Sequence, residues 1–287
     1  MRIKKYKKNE YSLSDDQVWV RNLCSKEKNF DINYLYENDK KICLANEYRN
    51  IRRRNLNNIN FNKSFSDIII CSDGFKWSEK QFYLSEILND QARIIGTNGS
   101  LREWKMVGSL SDKKRVMNYY FINNPYKEAI SYLPTKHSYY PNAIFSIRTN
   151  PDFIDAYRSS DTFWYSPPEE SNYSIPKNKV QTHLDDYRNP ICGAVDFAYK
   201  LGAKKIFLFC CDESFTDYRD ASIEMENGLY QYPQQIMSQK ILDKQFYWLK
   251  KNNVEIFDCS SGIKYKNATY ITEEELVSFF QRSDKNE

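Results

Sequence analysis

The chain has 287 residues, enough for one large α/β domain or for a domain with appended segments. A net charge of +4, with acids and bases interleaved, is too small to indicate a nucleic-acid partner. The mean hydropathy of -0.75 and the lack of any run of roughly 18 apolar residues predict a protein with no membrane span. No apolar segment follows the basic start MRIKKYKKNE, so no signal peptide is predicted. Seven scattered cysteines without CxxC spacing predict reduced thiols and a cytoplasmic location.

The first 64 residues differ in pattern from the remainder. We expect residues 1–64 to form an N-terminal arm and a helical extension, and residues 65–287 to form the main domain. Residues 31–58 predict one or two helices. The basic triplet Arg52 to Arg54 could meet phosphates, although a solvated helix face is the commoner explanation of such a triplet.

From residue 65 onward, a short apolar run, a polar turn and a helical segment alternate along the chain. The predicted strands lie at 68–71, 93–96, 119–122, 143–147, 163–165, 206–211 and 254–259. The predicted helices lie at 78–89, 126–132, 152–158, 193–201 and 234–251, and Thr272 with Glu275 forms a capping box before a last helix. This alternation predicts an α/β fold with a doubly wound, mostly parallel, Rossmann-like sheet and helices on both faces.

One stretch, residues 188–214, combines a helix with a buried strand. The helical part is predicted to begin at Gly193 and to stop at Gly202, where glycine takes the left-handed cap without strain. The run from Ile206 to Cys211 is apolar without alternation, as in a strand covered on both faces. The polar cluster Asp212, Glu213 and Ser214 follows at once. Ligands of parallel sheets bind outside the carboxyl ends of the strands, so this cluster, and Asp212 first among its members, is a candidate site.

Polar residues also follow the other predicted strands. Carboxamides and hydroxyls can bind ribose and base, and backbone N–H groups at helix starts can bind phosphate, so the set predicts a nucleotide site. The alternative is that these are ordinary turn residues. The chain has no G-x-G-x-x-G, G-x-x-x-x-G-K-[ST] or G-x-S-x-G motif. The residues in question are Ser72, Asp73, Gly74, Asn98, Gly99 and Asn124.

Three further features bear on chemistry. His183 is a candidate catalytic base, or else a surface residue. Asp185 and Asp186 beside it could hold Mg²⁺, although an exposed acidic pair is the commoner explanation. The polar, Tyr-rich segment 215–233 predicts a lid. No spacing of His or Cys residues predicts a metal site.

Several of these segments resemble a known superfamily. Residues Cys192-Gly193, Ala198, Leu201-Gly202, Ile206, Leu208 and Asp212 resemble a signature shared by two groups. These groups are the MptE-like 6-hydroxymethylpterin pyrophosphokinases and the Campylobacter-type bacterial sialyltransferases. IIGTNGSLREW, YFINNPYKEA and NVEIFDCSSG resemble further strands of the same fold. The resemblance implies that Asn98, Asn124, Cys192 and Gly193 contact a nucleotide.

The chain also departs from that superfamily. The place of its G-x-G-P-S-L loop holds Cys71-Ser72-Asp73-Gly74-Phe75, and no His precedes the last long helix. Sialyl transfer by a His base is therefore not expected. We expect a transferase that uses a nucleotide or nucleotide-sugar and a small-molecule or glycan acceptor, with Asp212 orienting a hydroxyl or binding Mg²⁺. The alternatives are an MptE-like pyrophosphokinase that uses ATP and a non-catalytic binding module.

Overall fold

The structure is a computed structural model. It describes residues 32–53, 56–61, 65–87, 92–102, 104, 117–134, 140–159, 161–167, 180, 182–186, 189–214, 216, 222–225 and 228–283. The predicted arm at 1–30, the third arginine of the basic triplet and most of segment 215–221 lie outside the described residues. No helix in these ranges is long and apolar enough to cross a membrane.

Among the described residues, nine strands form one parallel sheet. They are β1 (Asn57–Asn58), β2 (Asp67–Cys71), β3 (Arg93–Thr97), β4 (Tyr119–Ile122), β5 (Asn142–Ser146), β6 (Thr162–Tyr165), β7 (Lys205–Phe209), β10 (Glu255–Cys259) and β11 (Thr269–Tyr270). Their order in the sheet is β1-β6-β5-β4-β3-β2-β7-β10-β11, so the prediction of a doubly wound Rossmann-like fold is confirmed. A separate antiparallel hairpin consists of β8 (Ile223–Glu224) and β9 (Tyr230–Gln231).

Two hydrophobic cores cover the two faces of this sheet. On β2, Ile69 faces one core, whereas Ile68 and Ile70 face the other, and all three side chains are fully buried. Strands buried on both faces read as continuous apolar runs, which is why β2 and β7 were recognisable from the sequence. The chain runs outward from β2 to β6 and then returns to β7, the other neighbour of β2. The gap between β2 and β7 is therefore the topological switch point of the fold.

Helices line both faces. The last helix has the predicted capping box, in which Thr272 N donates to Glu275 Oε2 and Glu275 N donates to Thr272 Oγ1. The predicted single helix at 78–89 is instead two four-residue helices. The first begins at Trp77, whose side chain is buried in the core. The helices are α1 (Ile32–Asn50), α2 (Trp77–Lys80), α3 (Tyr83–Glu86), α4 (Pro151–Ala156), α5 (Pro190–Lys200), α6 (Pro233–Lys251) and α7 (Glu273–Ser283), with a 3-10 helix at Lys127–Tyr132.

Helix α1 lies across the loops that follow β4 and β5. Asn46 Nδ2 donates to Pro125 O at 2.8 Å and to Arg148 O at 3.1 Å. Asn50 Nδ2 donates to Ile147 O at 2.9 Å and to Thr149 O at 2.8 Å. Arg53, a member of the basic triplet, pairs with Asp155 at 2.7 Å instead of presenting a free charge to phosphate. These contacts hold the loops after β4 and β5 at the carboxyl edge of the sheet.

Candidate functional site at the switch point

The loops after β2 and β7 interlock at the switch point. Gly74 N donates to Cys210 O at 2.9 Å. A Cβ atom at Gly74 would lie 2.3 Å from Cys210 O and 2.7 Å from Asp212 Oδ1, distances that real Cβ atoms do not reach. Glycine at this position therefore permits the approach of the two loops. Gly74, which the sequence predicted as a nucleotide-binding residue, thus allows the loops after β2 and β7 to pack together.

Asp73 lies beside the loop that follows β3. A Cβ atom at Gly99 would lie 2.1 Å from Asp73 Oδ2, so these two backbones also approach closely. Asp73 keeps contact with solvent, yet desolvation by the surrounding protein raises the pKa of its carboxyl group. The Gly99 N–H group and the Arg102 guanidinium oppose this rise in pKa. Such a carboxylate, exposed but crowded, borders the crevice that is expected outside the carboxyl ends of β2, β3 and β7 at the switch point, which we call the cleft.

Asp212 occupies the end of β7 and is 1% exposed. Ser214 Oγ donates to Asp212 Oδ2, and Gln231 of β9 donates to Asp212 O at 3.0 Å. Asp212 Oδ1 has no hydrogen-bond partner among the described residues. Burial raises the pKa of this carboxyl to about 6, although the Ser214 hydrogen bond lowers it. Asp212 is thus a buried carboxyl group beneath the carboxyl edge of the sheet.

Glu213, the next residue, is partly exposed, and its backbone has the left-handed conformation with φ at 49°. Asn189 Nδ2 donates to Glu213 Oε2 at 2.7 Å. Desolvation raises the pKa of Glu213 to about 7, and the charges of Asp73 and Asp212 add to the rise. Hydrogen bonds from Asn189 and Asn98 oppose it. A non-glycine residue in this conformation is uncommon and is frequently functional.

Asn98 connects the two sides of the cleft. Its Nδ2 donates to Ser72 Oγ at 3.3 Å, and its side chain also hydrogen-bonds to Glu213. Its backbone is left-handed with φ at 50°, and its carbonyl accepts from Tyr120 OH at 2.7 Å. The predicted residues Ser72, Asp73, Asn98 and Gly99 thus come together around Glu213.

Asn124 and Tyr132 bound the cleft on the β4 side. Asn124 Oδ1 accepts from Tyr126 N at 2.9 Å, which caps the start of the 3-10 helix. Tyr132 hydrogen-bonds to Asn124, and the charges of Asp73 and Glu213 raise the pKa of its hydroxyl after burial, the main cause. The Asn124 side chain therefore already forms hydrogen bonds within the protein, to Tyr126 and Tyr132.

The prediction that α5 begins at Gly193 is wrong. The helix begins at Pro190, and Asn189 Oδ1 caps it by accepting from Ile191 N at 2.7 Å and Cys192 N at 3.3 Å. Cys192 and Gly193 are buried against the sheet. A Cβ atom at Gly193 would lie 2.4 Å from Phe121 Cζ, so this glycine allows close packing of α5 on β4. Neither residue presents a helix start to a phosphate.

His183 lies away from Asp212, and the acidic pair beside it is buried. His183 forms an isolated parallel β-bridge with Ser166. Its backbone carbonyl accepts a hydrogen bond at 2.6 Å from Nζ of Lys200, the last residue of α5, so it lies at the end of α5 that is opposite to Asn189. Desolvation lowers the pKa of His183. Asp185 and Asp186 are each 2% exposed, so the expectation of an exposed pair is wrong. Asp186 accepts from Tyr165 OH at 2.6 Å and Asp185 N donates to Asp196, which leaves them poorly placed for Mg²⁺.

Two further expectations concern a metal and a lid. Within the described ranges, no group of three or more His, Cys, Asp or Glu residues is arranged to hold a metal ion. The six described cysteines are free and buried. Of the predicted lid 215–233, the structure describes residue 216 and residues 222–225 and 228–233, which include the β8–β9 hairpin. Gln231 anchors this hairpin to Asp212.

Two cleft residues, Asn189 and Tyr132, were missed as site residues by sequence reasoning. The pair Asn189-Pro190 does carry a readable pattern, since Asn favours the N-cap position and Pro the first helical position. Glu213 was a candidate as a member of the polar cluster after β7, but its role as a base was not predicted, because its contacts come from residues distant in sequence. Tyr132 gives no pattern in the sequence that distinguishes it from the other 22 tyrosines of a chain that holds 23.

Fold and site together define a Rossmann-like α/β protein with a carboxylate-lined cleft at its switch point. No family model and no curated protein matches the chain. A solved structure with a similar fold is the MAf glycosyltransferase from Magnetospirillum magneticum AMB-1, with a TM-score of 0.62 and 16% sequence identity. The match covers 86% of this chain and 41% of that chain, so the present chain spans about two fifths of its neighbour's length. At this identity the likeness concerns the fold, and the resemblance to the MptE-like and sialyltransferase families stays a prediction.

Proposed function

We propose that this protein is a glycosyltransferase-like enzyme that moves a sugar from a nucleotide-activated donor to a hydroxyl group of a small-molecule or glycan acceptor. The observation that carries the proposal is Glu213, a partly exposed carboxylate with a pKa of about 7 in the switch-point cleft. A general base works best when its pKa lies near the working pH. The fold likeness to a protein named as a glycosyltransferase supports the same reaction class.

Glu213 is assigned the role of general base in a single displacement. The acceptor hydroxyl oxygen attacks the anomeric carbon of the donor sugar, and its proton passes to the Glu213 carboxylate. The bond between the anomeric carbon and the phosphate oxygen breaks, and its electron pair leaves with the nucleotide. We assign the base to Glu213 instead of His183, because His183 lies beside the opposite end of α5.

The neighbours of Glu213 set its proton affinity. The negative charges of Asp73 and Asp212 favour the protonated form, so they strengthen Glu213 as a base. Asn189 and Asn98 hold the carboxylate in place through hydrogen bonds. Asp212 is thus assigned an electrostatic and positioning role.

The donor nucleotide is proposed to lie along the carboxyl edge from β4 to β7, which is where ligands of doubly wound sheets bind. Ser72, Asn98 and the backbone around Gly99 offer neutral hydrogen-bonding groups there. Arg102 provides a positive charge beside Asp73 for the phosphate groups. The acceptor is proposed to approach Glu213 from the solvent-exposed side of the cleft.

The test is a panel of donors. The protein is incubated with UDP-, GDP-, CMP- and dTDP-sugars and with ATP, and both nucleotide release and the melting temperature are measured. A nucleotide-sugar that raises the melting temperature and is turned over only by a protein with intact Glu213 supports the proposal. AMP release from ATP alone would indicate diphosphoryl transfer. If no nucleotide changes the melting temperature, the proposal fails in favour of a non-catalytic module.

A further inference from the structure

We propose that Asn123, the residue directly after β4, binds the neutral nucleoside portion of the donor through its side-chain amide. This inference rests on the proposed function, since it requires a nucleotide-bearing ligand in the cleft. The ligand group is an uncharged acceptor oxygen, either a carbonyl of the base or a hydroxyl of the ribose. Sequence reasoning selected the neighbouring Asn124 for this role.

The first observation is an unsatisfied donor. Asn123 is 6% exposed, and its Nδ2 has no hydrogen-bond partner within the part of the chain that the structure describes. Leaving a buried amide unpaired is unfavourable, and most buried polar groups in proteins are paired. A buried donor at the carboxyl edge of a parallel sheet lies where a ligand binds. Asn124, by contrast, uses its Oδ1 to accept from Tyr126 N.

The second observation is the direction of the side chain. Side chains alternate between the faces of a strand, so Asn123 continues the row of Phe121. Phe121 stacks on Tyr165 with a centroid distance of 5.0 Å and contacts Gly193 of α5. If the alternation continues one residue beyond β4, the Asn123 side chain lies on the face of the sheet that α5 covers.

The third observation is that the backbone carrying Asn123 is fixed. Pro125 O accepts from Asn46 Nδ2 at 2.8 Å and from Asn150 Nδ2 at 3.3 Å. Asn124 O accepts from Asn150 N at 3.0 Å. These three hydrogen bonds hold the carbonyls of the two residues that follow Asn123, so a donor at Asn123 can bind a ligand atom with little loss of conformational entropy.

The amide carries no charge, and charges of both signs lie near α5 and the Phe121–Tyr165 pair. Asp186 packs against Gly193, Glu213 lies at the start of α5, and the charge of Arg148 acts on Tyr165. The first N–H groups of α5 are already capped by Asn189 and so are not free for a phosphate. A neutral oxygen of base or ribose is therefore the group that fits.

The experiment compares Asn123→Leu, which has a similar volume without a donor, and Asn123→Ala with the unchanged protein. Calorimetry measures Kd for UMP, CMP, AMP, GMP and ribose 5-phosphate, and thermal melting measures stability without ligand. We expect both variants to bind the preferred nucleotide about tenfold more weakly, as for one lost hydrogen bond. We expect their melting temperatures to match or exceed that of the unchanged protein, because the amide has no described partner to lose.

The outcomes separate the two proposals. If the unchanged protein binds none of the five ligands, the proposed function fails and this inference fails with it. If it binds a nucleotide and both variants bind equally well, the Asn123 inference fails and the proposed function stands. A drop in melting temperature of both variants with unchanged Kd likewise overturns the inference, because it shows a structural amide. Asn57→Ala, at the exposed edge strand β1, is the control and leaves both quantities unchanged.

Discussion

Asn189 joins the start of α5 to the carboxylate of Glu213. Its Oδ1 accepts from Ile191 N at 2.7 Å, while its Nδ2 donates to Glu213 Oε2 at 2.7 Å. One side chain therefore caps a helix and holds the carboxylate that we assign as the base. Because the two functions use different atoms of the same amide, substitutions can separate them.

Glu213→Gln should reduce kcat by about 10²- to 10⁴-fold, the usual contribution of a general base, with a small change in KM. In the unchanged protein, the rate should rise with pH through about 7, because only the deprotonated carboxylate accepts a proton. The variant should lose this dependence. The measurement is a pH–rate profile of sugar transfer from pH 5 to 9.

The matched control for that substitution is Glu255→Gln. Glu255 is exposed at the first position of β10, at the opposite edge of the sheet from the cleft. Its profile should overlay that of the unchanged protein. An unchanged pH profile in Glu213→Gln would show that another group is the base.

Asn189→Ser and Asn189→Ala should separate the cap from the carboxylate contact. Serine caps a helix but is too short to reach Glu213, so only the alanine variant should lose about 1 kcal/mol of stability. Both variants remove a hydrogen bond that lowers the Glu213 pKa, so both should move the midpoint of the rate profile to higher pH. Urea unfolding and rate profiles measure the two effects. A midpoint that moves in neither variant would refute the coupling.

The stability of the protein should depend on pH through Glu213. Its pKa is raised from 4.5 in the unfolded chain to about 7 in the fold, so the protonated form is the one that the fold favours. The stability of the unchanged protein should therefore fall as the pH rises from about 4.5 to 7. Glu213→Gln should be more stable by the order of 1–3 kcal/mol at pH 8, with little difference at pH 4.5. Urea unfolding at both values checks this, and an equal difference at the two values would contradict it.

Gly74→Ala should destabilise the protein by about 1–3 kcal/mol, a typical cost of overpacking, because the new Cβ would meet Cys210 O and Asp212 Oδ1. Gly228→Ala is the comparison: its Cβ has open space, and only the positive φ of 72° opposes alanine, at about 1 kcal/mol. Denaturant midpoints measure both. Since Gly74 also shapes the cleft, its variant should weaken nucleotide binding, whereas Gly228→Ala should not.

Asn50→Ala should reduce stability by about 2–3 kcal/mol, since one buried amide donates to Ile147 O and Thr149 O, which would both lose their partner. Arg49→Ala, on the exposed side of the same helix, should change stability by less than about 0.5 kcal/mol. Chemical unfolding of the two variants measures the difference. Equal effects would mean that α1 does not fix the loop after β5.

The central strands were predictable from the sequence because a strand that is buried on both faces must be apolar throughout. The predicted bounds of β4, Tyr119–Ile122, match the structure, and those of β2, β5 and β10 differ from it by one residue at most at each end. The short helices α2 and α3 were not separated, because their four-residue segments are stabilised by the burial of Trp77 and Leu84 more than by local propensity.

The sequence predicted those site residues that directly follow a strand. Ser72, Asp73, Asn98 and Asp212 follow strands, and strand ends of a parallel sheet meet at one edge. The role of Glu213 depends on Asn189, 24 residues earlier, and on Asn98 in another loop. Such contacts are set by tertiary packing. The start of α5 was predicted wrongly at Gly193, because the Asn189 cap makes the helix begin at Pro190, three residues earlier.

The central position of β2 has a consequence for how the protein is made. The Cys211 thiol, just beyond the end of β7, meets the carbonyl of Ile70 in β2, 141 residues earlier in the chain. At a synthesis rate of about 5–20 residues per second, β2 therefore waits roughly 7–28 seconds for this neighbour. During that interval Ile68, Ile69 and Ile70 lack the strand with which they pair in the fold. An unpaired apolar strand edge can pair with another chain, so this interval is when the protein is most exposed to aggregation.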